Sequence, residues 1–134
     1  MNKIAKIIAS ALFVILLVSC DLKVVEYHDS TISSKSLQEK KQKYLGAKVS
    51  IDFIGDDAKI TVISNDGESE SLILSKVADA NSYNDYQDVY EYEFNSQEKA
   101  VLKVSKFLMF VSSAKLDGQE NNATMGYLKI ESNF

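Results

Sequence analysis

Several residue types are missing from this sequence or nearly so. It has no proline and no tryptophan, all 15 of its basic residues are lysine, and its 134 residues include one cysteine and one histidine. Without arginine, the side chain best fitted to grip phosphate through two parallel hydrogen bonds is absent. The 19 acidic residues outnumber the basic ones, which opposes any affinity built on neutralising a nucleic-acid backbone. Nucleic acid is therefore not an expected partner. Without tryptophan there is no strong stacking platform for a sugar, so paired carboxylates such as Asp56 with Asp57, or Glu91 with Glu93, are a poor basis for a glycosidase. A single cysteine cannot close a disulfide within the chain, and one cysteine with one histidine does not make a zinc site. The same absences, beside abundant Lys, Asn, Ser and Ile, point to an AT-rich genome, which is a coding bias and not a function.

The lone cysteine, Cys20, ends a distinctive segment. Lys3 and Lys6 are the only charges before it, and Ile7 to Leu17, "IIASALFVILL", is an uncharged run of eleven residues. A basic start, a short apolar stretch and small residues before a cut site describe a secretory signal peptide. The run is short for a membrane-spanning helix, which needs about 20 residues. Leu17-Val18-Ser19-Cys20 resembles the lipobox of bacterial lipoproteins. That resemblance covers residues 1–20 and implies cleavage before Cys20, a diacylglycerol on its thiol and an acylated new amino terminus. Each buried CH₂ contributes about 0.8 kcal/mol, so two or three chains anchor durably where one does not. The expected location is therefore an extracytoplasmic face of a bacterial membrane. Asp21 resembles the inner-membrane retention signal of enteric lipoproteins and favours that membrane, with the outer membrane left open.

Removing residues 1–19 leaves 115 residues with 13 basic and 19 acidic groups, a net charge near −6. That length suits one domain able to bury about 65% of its unfolded surface, enough for a core without covalent staples. Residues 20–35 read as a lipidated tether, with Leu22 to Tyr27 as an alternative first strand. Ser36 to Leu45 reads as a short helix, with Ser36 and Glu39 as a capping box and Gly46 as the C-terminal stop. Its "KKQK" face reads as solvated, or as a contact for anionic headgroups. From Ala47 the apolar period changes from 3.6 to 2. "KVSIDF", "AKITVIS" and "ESLILSKV" predict three strands separated by turns at "GDD" and "NDG". "DVYEYEF", one or two strands within 99–116, an open loop over "DGQENNAT", and "MGYLKIES" with Leu128 and Ile130 inward complete the chain. The fold class is mainly β: a small antiparallel barrel or sandwich of six to eight strands forming one domain over residues 36–134. Up-and-down order is favoured because neighbours in sequence are spaced as hairpins.

Candidate chemistry is sparse. His28 lies eight residues from Cys20, in the expected tether, so a serine–histidine pair has no place in the domain. "DANSYNDYQDVYE" gathers Asp79, Asn81, Asp85 and Asp88 as calcium candidates. It lacks the Gly and the terminal Glu of an EF-hand loop, which makes a solvated acidic loop the better reading. Asn122-Ala123-Thr124 matches a glycosylation acceptor and reads as accidental. Tyr83 and Tyr86, in the same loop as the acidic residues, are candidates for partner binding, since tyrosine supplies area and a hydroxyl at low entropic cost. Tyr90 and Tyr92 read as core or rim. No enzyme and no cofactor are expected. The expected role is a non-catalytic protein-binding, inhibitor or immunity-type module in the envelope. Small β-barrel lipoproteins that inhibit lysozyme offer an analogy of size and anchoring, without their disulfide cysteines here. The alternative is a lipocalin-like carrier of a small apolar ligand, although the lipocalin Gly-x-Trp is missing. A void among the inward side chains would keep that alternative open, and a filled interior would close it.

Overall fold

A computed structural model describes residues 21–77, 88–108 and 110–132. The described chain is a closed antiparallel barrel of eight strands in sequence order, with one helix. The strands are β1 (Leu22–Asp29), β2 (Lys48–Ile54), β3 (Asp57–Ile63), β4 (Ser69–Lys76), β5 (Asp88–Glu93), β6 (Glu98–Phe107), β7 (Phe110–Glu120) and β8 (Ala123–Ser132), and helix α1 (Ser34–Tyr44) lies between β1 and β2. Closure pairs each strand with two neighbours over at least part of its length, which limits the open edge through which an all-antiparallel domain could pair with other chains.

The period-2 segments sit where alternation puts them. Ile51, Ile60 and Leu72 share one inward row across β2, β3 and β4, and Leu102, Leu116, Leu128 and Tyr27 share another across β6, β7, β8 and β1. Below the second row lies a third, Val104, Ala114, Ile130 and Val24, all buried. Leu74, Leu102 and Ile130 are among the largest side chains with no exposed surface. Phe53 and Tyr90 pack ring against ring at 5.8 Å, and Lys106 Nζ lies 4.0 Å from the Phe53 ring centre. This end of the barrel, where β1 begins, is filled, and we call it the base. The other end is the mouth.

The structure decides two open readings and corrects two others. Of tether and first strand, the segment from Leu22 is strand: seven residues of β1 pair with β8, from Leu22 opposite Ser132 to Asp29 opposite Gly126, around a bulge after Val24, and the strand runs two residues past the expected Tyr27. His28 is thus a strand residue, exposed on the barrel wall. The helix cap is Ser33, three residues earlier than the proposed Ser36–Glu39 box. Ser33 has extended backbone angles, and its Oγ accepts the Ser36 N–H at 3.2 Å. The expected loop over residues 117–124 is mostly strand. A two-residue turn at Asn121 and Asn122, both at positive φ, suffices, because asparagine tolerates the left-handed region that such hairpin turns require. Residues 99–116 fall into two strands, one of the two readings, but the turn comes at Leu108 and β7 then runs on to Glu120. Gly46 at the helix C-terminus and Gly67 in "NDG" take positive φ as expected.

Helix α1 buries little apolar surface; Tyr44 is its only buried residue. Polar contacts with the β3–β4 turn seat it instead. Asn65 Nδ2 donates to the carbonyls of Gln42 (2.9 Å) and Leu45 (2.8 Å), and the Asn65 N–H donates to Lys43 O (2.9 Å). These bonds satisfy carbonyls that the helix end leaves open. Lys43 Nζ meets Glu68 at 2.7 Å.

Gly126 of β8 stands hard against the backbone of β1, opposite Asp29. A Cβ there would lie 2.7 Å from the His28 carbonyl oxygen, whereas one at Gly118 would meet only the Gly126 oxygen, at 3.8 Å. Gly126→Ala is therefore expected to destabilise the fold by about 1–3 kcal/mol, the usual range for overpacking. Gly118→Ala should stay within about 0.5 kcal/mol of wild type. Urea unfolding of both variants measures the difference.

Candidate functional site

The barrel is closed unevenly. Among the described residues, β1 pairs with β2 at two positions (Leu22–Val49, Lys23–Lys48) and β4 with β5 at two (Ser75–Glu91, Lys76–Tyr90), each continued by one backbone bond, Val24 N–H to Ala47 O and Val77 N–H to Val89 O. All other neighbouring strands pair at six or more. At the β4–β5 seam the two pairs lie toward the base, so the three-stranded unit β2–β4 diverges from β5 toward the mouth. Helix α1 is wedged beside β1 where β2 does not reach, with Gly46 N–H donating to Val24 O (2.8 Å). Tyr44 fills the wedge, stacked on Tyr27 at 5.3 Å and 18°.

A second feature keeps the mouth hollow. Ala100, Gly118 and Gly126 occupy one register row across β6, β7 and β8, directly above the leucine row. Three inward positions there carry almost no side chain. Two adjoining hollows result, of about 480 and 360 Å³, sharing Tyr27, Asp29, Leu72, Leu116 and Leu128. Phe94 from β5–β6 lines the larger, and Lys40 and Glu70 line the smaller. Both volumes fall in the usual range for small-ligand sites, about 300–1,000 Å³. The floor is apolar and the rim polar. Asp29 Oδ1 accepts from the Thr31 N–H (2.9 Å) and hydroxyl (2.6 Å), and Glu70 Oε1 accepts from Tyr44 Oη at 2.9 Å.

Two phenols report the electrostatics. Burial pushes the Tyr27 hydroxyl up, and the negative charges of Asp29 and Glu70 push it further. Tyr44 is pushed up to about 12, by burial first, then by its hydrogen bond to Glu70 and that carboxylate's charge. A phenol used as a nucleophile or base near neutral pH needs the opposite shift. The hydrogen bond from Tyr44 Oη to Glu70 ties the end of the helix to β4 at the mouth.

The other candidates are dispersed. Cys20, Asp79, Asn81, Tyr83, Asp85 and Tyr86 lie outside the described residues. Asp88, at the edge of the calcium candidate, meets Lys106 at 3.2 Å and Lys76 at 3.7 Å. Among the described residues, no three of His, Cys, Asp and Glu come together as a metal site. The His28 ring lies 5.8 Å from that of Tyr127. Asp56 and Asp57 border the β2–β3 turn, and Glu91 pairs with Lys99 at 3.3 Å. Tyr90 is buried in the core, while Tyr92 is half-exposed and meets Phe94 edge-on at 5.0 Å. Of the "KKQK" lysines, Lys40 lines the smaller hollow and Lys43 is committed to Glu68. Sequence reading missed a buried carboxylate. Asp117 has no exposed surface and is held by Lys103 (3.1 Å) and Lys115 (3.6 Å) from the outward register of β6 and β7. An acid inside "AKLDGQE" carried no signal of that.

No protein family, curated protein or solved structure matches this chain.

Tyr44 has a higher proton affinity folded than unfolded, so the stability it contributes is complete below pH about 10, the free phenol value, and is lost as pH rises toward 12. Tyr44→Phe should flatten the loss of stability across that window. Alkaline unfolding followed by circular dichroism, with ultraviolet titration of tyrosinate, measures it.

Proposed function

We propose that this protein is a lipid-anchored, non-catalytic binding module of the bacterial envelope, and that it binds at the barrel mouth. The carrying observation is the asymmetry of the barrel. Its base, beside residue 21, is filled by Val24, Leu74, Val104 and Ile130, while its mouth is hollow over an apolar floor. A body tethered through Cys20 would present that hollow away from its point of attachment. The walls favour an occupant with an apolar body and a neutral or cationic polar end, because Asp29 and Glu70 both face Tyr27. A protruding apolar element of an envelope protein meets those terms, which is the inhibitor or immunity-type reading. The hollow itself favours a second reading, a small apolar ligand carried in the mouth, since the interior is not filled throughout.

Tyr83 and Tyr86 stay candidates for a separate contact.

Cys20→Ser is expected to release the protein from the membrane fraction, and intact mass should show acyl chains on the wild type only. Gly118→Leu should fill the hollow, since only the Gly126 oxygen lies within 4 Å of a Cβ at that site, and should reduce mouth binding at least tenfold. Native mass spectrometry of the purified protein distinguishes a retained small ligand from a partner captured out of envelope extract. Unaltered binding in Gly118→Leu would overturn the mouth as the site.

A further inference from the structure

The turns at the two ends of the barrel differ in kind. At the mouth they are polar: Ser64 to Glu68, Asn95 to Gln97, and Asn121–Asn122. At the base, the β2–β3 turn carries Ile54, 62% exposed, and the β6–β7 turn carries Phe107 and Leu108, 61% and 79% exposed. The two apolar tips are neighbours. Lys106, adjacent to Phe107, reaches over the ring of Phe53, adjacent to Ile54, at 4.0 Å. The other exposed aliphatic residues, among them Val25, Leu45, Ile63 and Ile73, are scattered singly over the walls and need no explanation. Phe94 is exposed into the hollow.

Leu108 adds a second, independent observation. Among the described residues six have positive φ, and the other five are Gly46, Gly55, Gly67, Asn121 and Asn122. These are the residue types that tolerate that conformation. Leu108, at φ +57, is the exception. Backbone preference alone would place glycine or asparagine at this tip. A bulky apolar side chain holds the position instead, and it is more exposed than any other large hydrophobic residue described.

Reach decides what covers these tips. Only Asp21 separates Cys20 from Leu22, the first residue of β1. Two residues span at most about 7 Å. Leu22 pairs with Val49, and β2 runs five residues beyond Val49 to Ile54. At about 3.3 Å per residue and a barrel tilt of 35–45°, that overhang is roughly 12–13 Å along the axis. The hairpin extends as far toward the bilayer as the tether can stretch, or farther. We propose that the base of the barrel docks on the lipid surface, with Ile54, Phe107 and Leu108 inserted at the boundary between headgroups and acyl chains. The proposal rests on lipidation of Cys20 and goes beyond it. The acyl chains hold the protein to the membrane, and the tips fix its orientation, mouth outward. Because Asp56 and Asp57 border one tip, the contact is apolar and does not need anionic lipid.

The chain contains no tryptophan, so an introduced indole is a clean reporter. The mature lipidated protein would be reconstituted into phosphatidylcholine vesicles as three single variants, Phe107→Trp, Ile54→Trp and Phe94→Trp. Emission from the first two should be blue-shifted and quenched by brominated lipid at least threefold more strongly than that of Phe94→Trp, with or without added phosphatidylglycerol. Equal quenching of all three, with acyl chains confirmed by mass, would overturn the docking proposal and leave the lipoprotein reading standing. A blue shift at position 107 without bromolipid quenching would assign the tips to a protein contact, and would also overturn it. Absence of acyl chains on Cys20 would overturn both readings together.

Discussion

Two short seams govern this barrel. Eight strands close into a cylinder, yet among the described residues β1 meets β2 and β4 meets β5 through two residue pairs each. Antiparallel pairing is the main source of order in such a fold, because every unpaired buried N–H or C=O would carry a desolvation penalty. Where pairing stops, something else must cover the backbone or the strands must part. At the β1–β2 seam the cover is α1, and at the β4–β5 seam the strands part toward the mouth. The packed base, the hollow mouth and the position of the helix all follow from that arrangement.

The helix shows how polar contacts can replace a missing apolar face. Its sequence, "SKSLQEKKQKY", has no stripe wide enough to drive burial, and intrinsic propensity does not hold so short a helix in water. Asn65 closes its C-terminal carbonyls, Lys43 reaches the acids of the β3–β4 turn, and Tyr44 stacks on Tyr27 while bonding to Glu70. Turn and helix thus stabilise each other across the mouth. Asp66 is held below the usual carboxylate range, chiefly by the Ser64 hydroxyl and then by the Glu68 N–H, both within the same turn.

Much of the β architecture was legible, for physical reasons. Alternation in "KVSIDF" and "AKITVIS" has only one interpretation when an inner face is apolar, and Gly67 marks a turn that needs positive φ. Barrel rather than sandwich was not legible, because closure depends on β1 pairing with β8, residues about a hundred positions apart. The polar run after Tyr27 left β1 readable either as a first strand or as a tether. The hollow was invisible for a related reason. Ala100, Gly118 and Gly126 matter only because they align across three strands, and "LDG" and "MGY" read locally as a turn and a strand start. The remaining clue was parity: Gly118 stands two residues from Leu116, and Gly126 two from Leu128, on the inward face.

The pairing of Leu22 with Ser132 brings the first and last strands side by side at the base. A reporter, affinity tag or second domain fused after the last strand would emerge beside residue 21, crowded against whatever holds the amino terminus. One grafted into the turn at Asn95–Gln97 would project from the opposite pole. The geometry of closure therefore dictates where cargo can be attached to this scaffold without obstructing its footing.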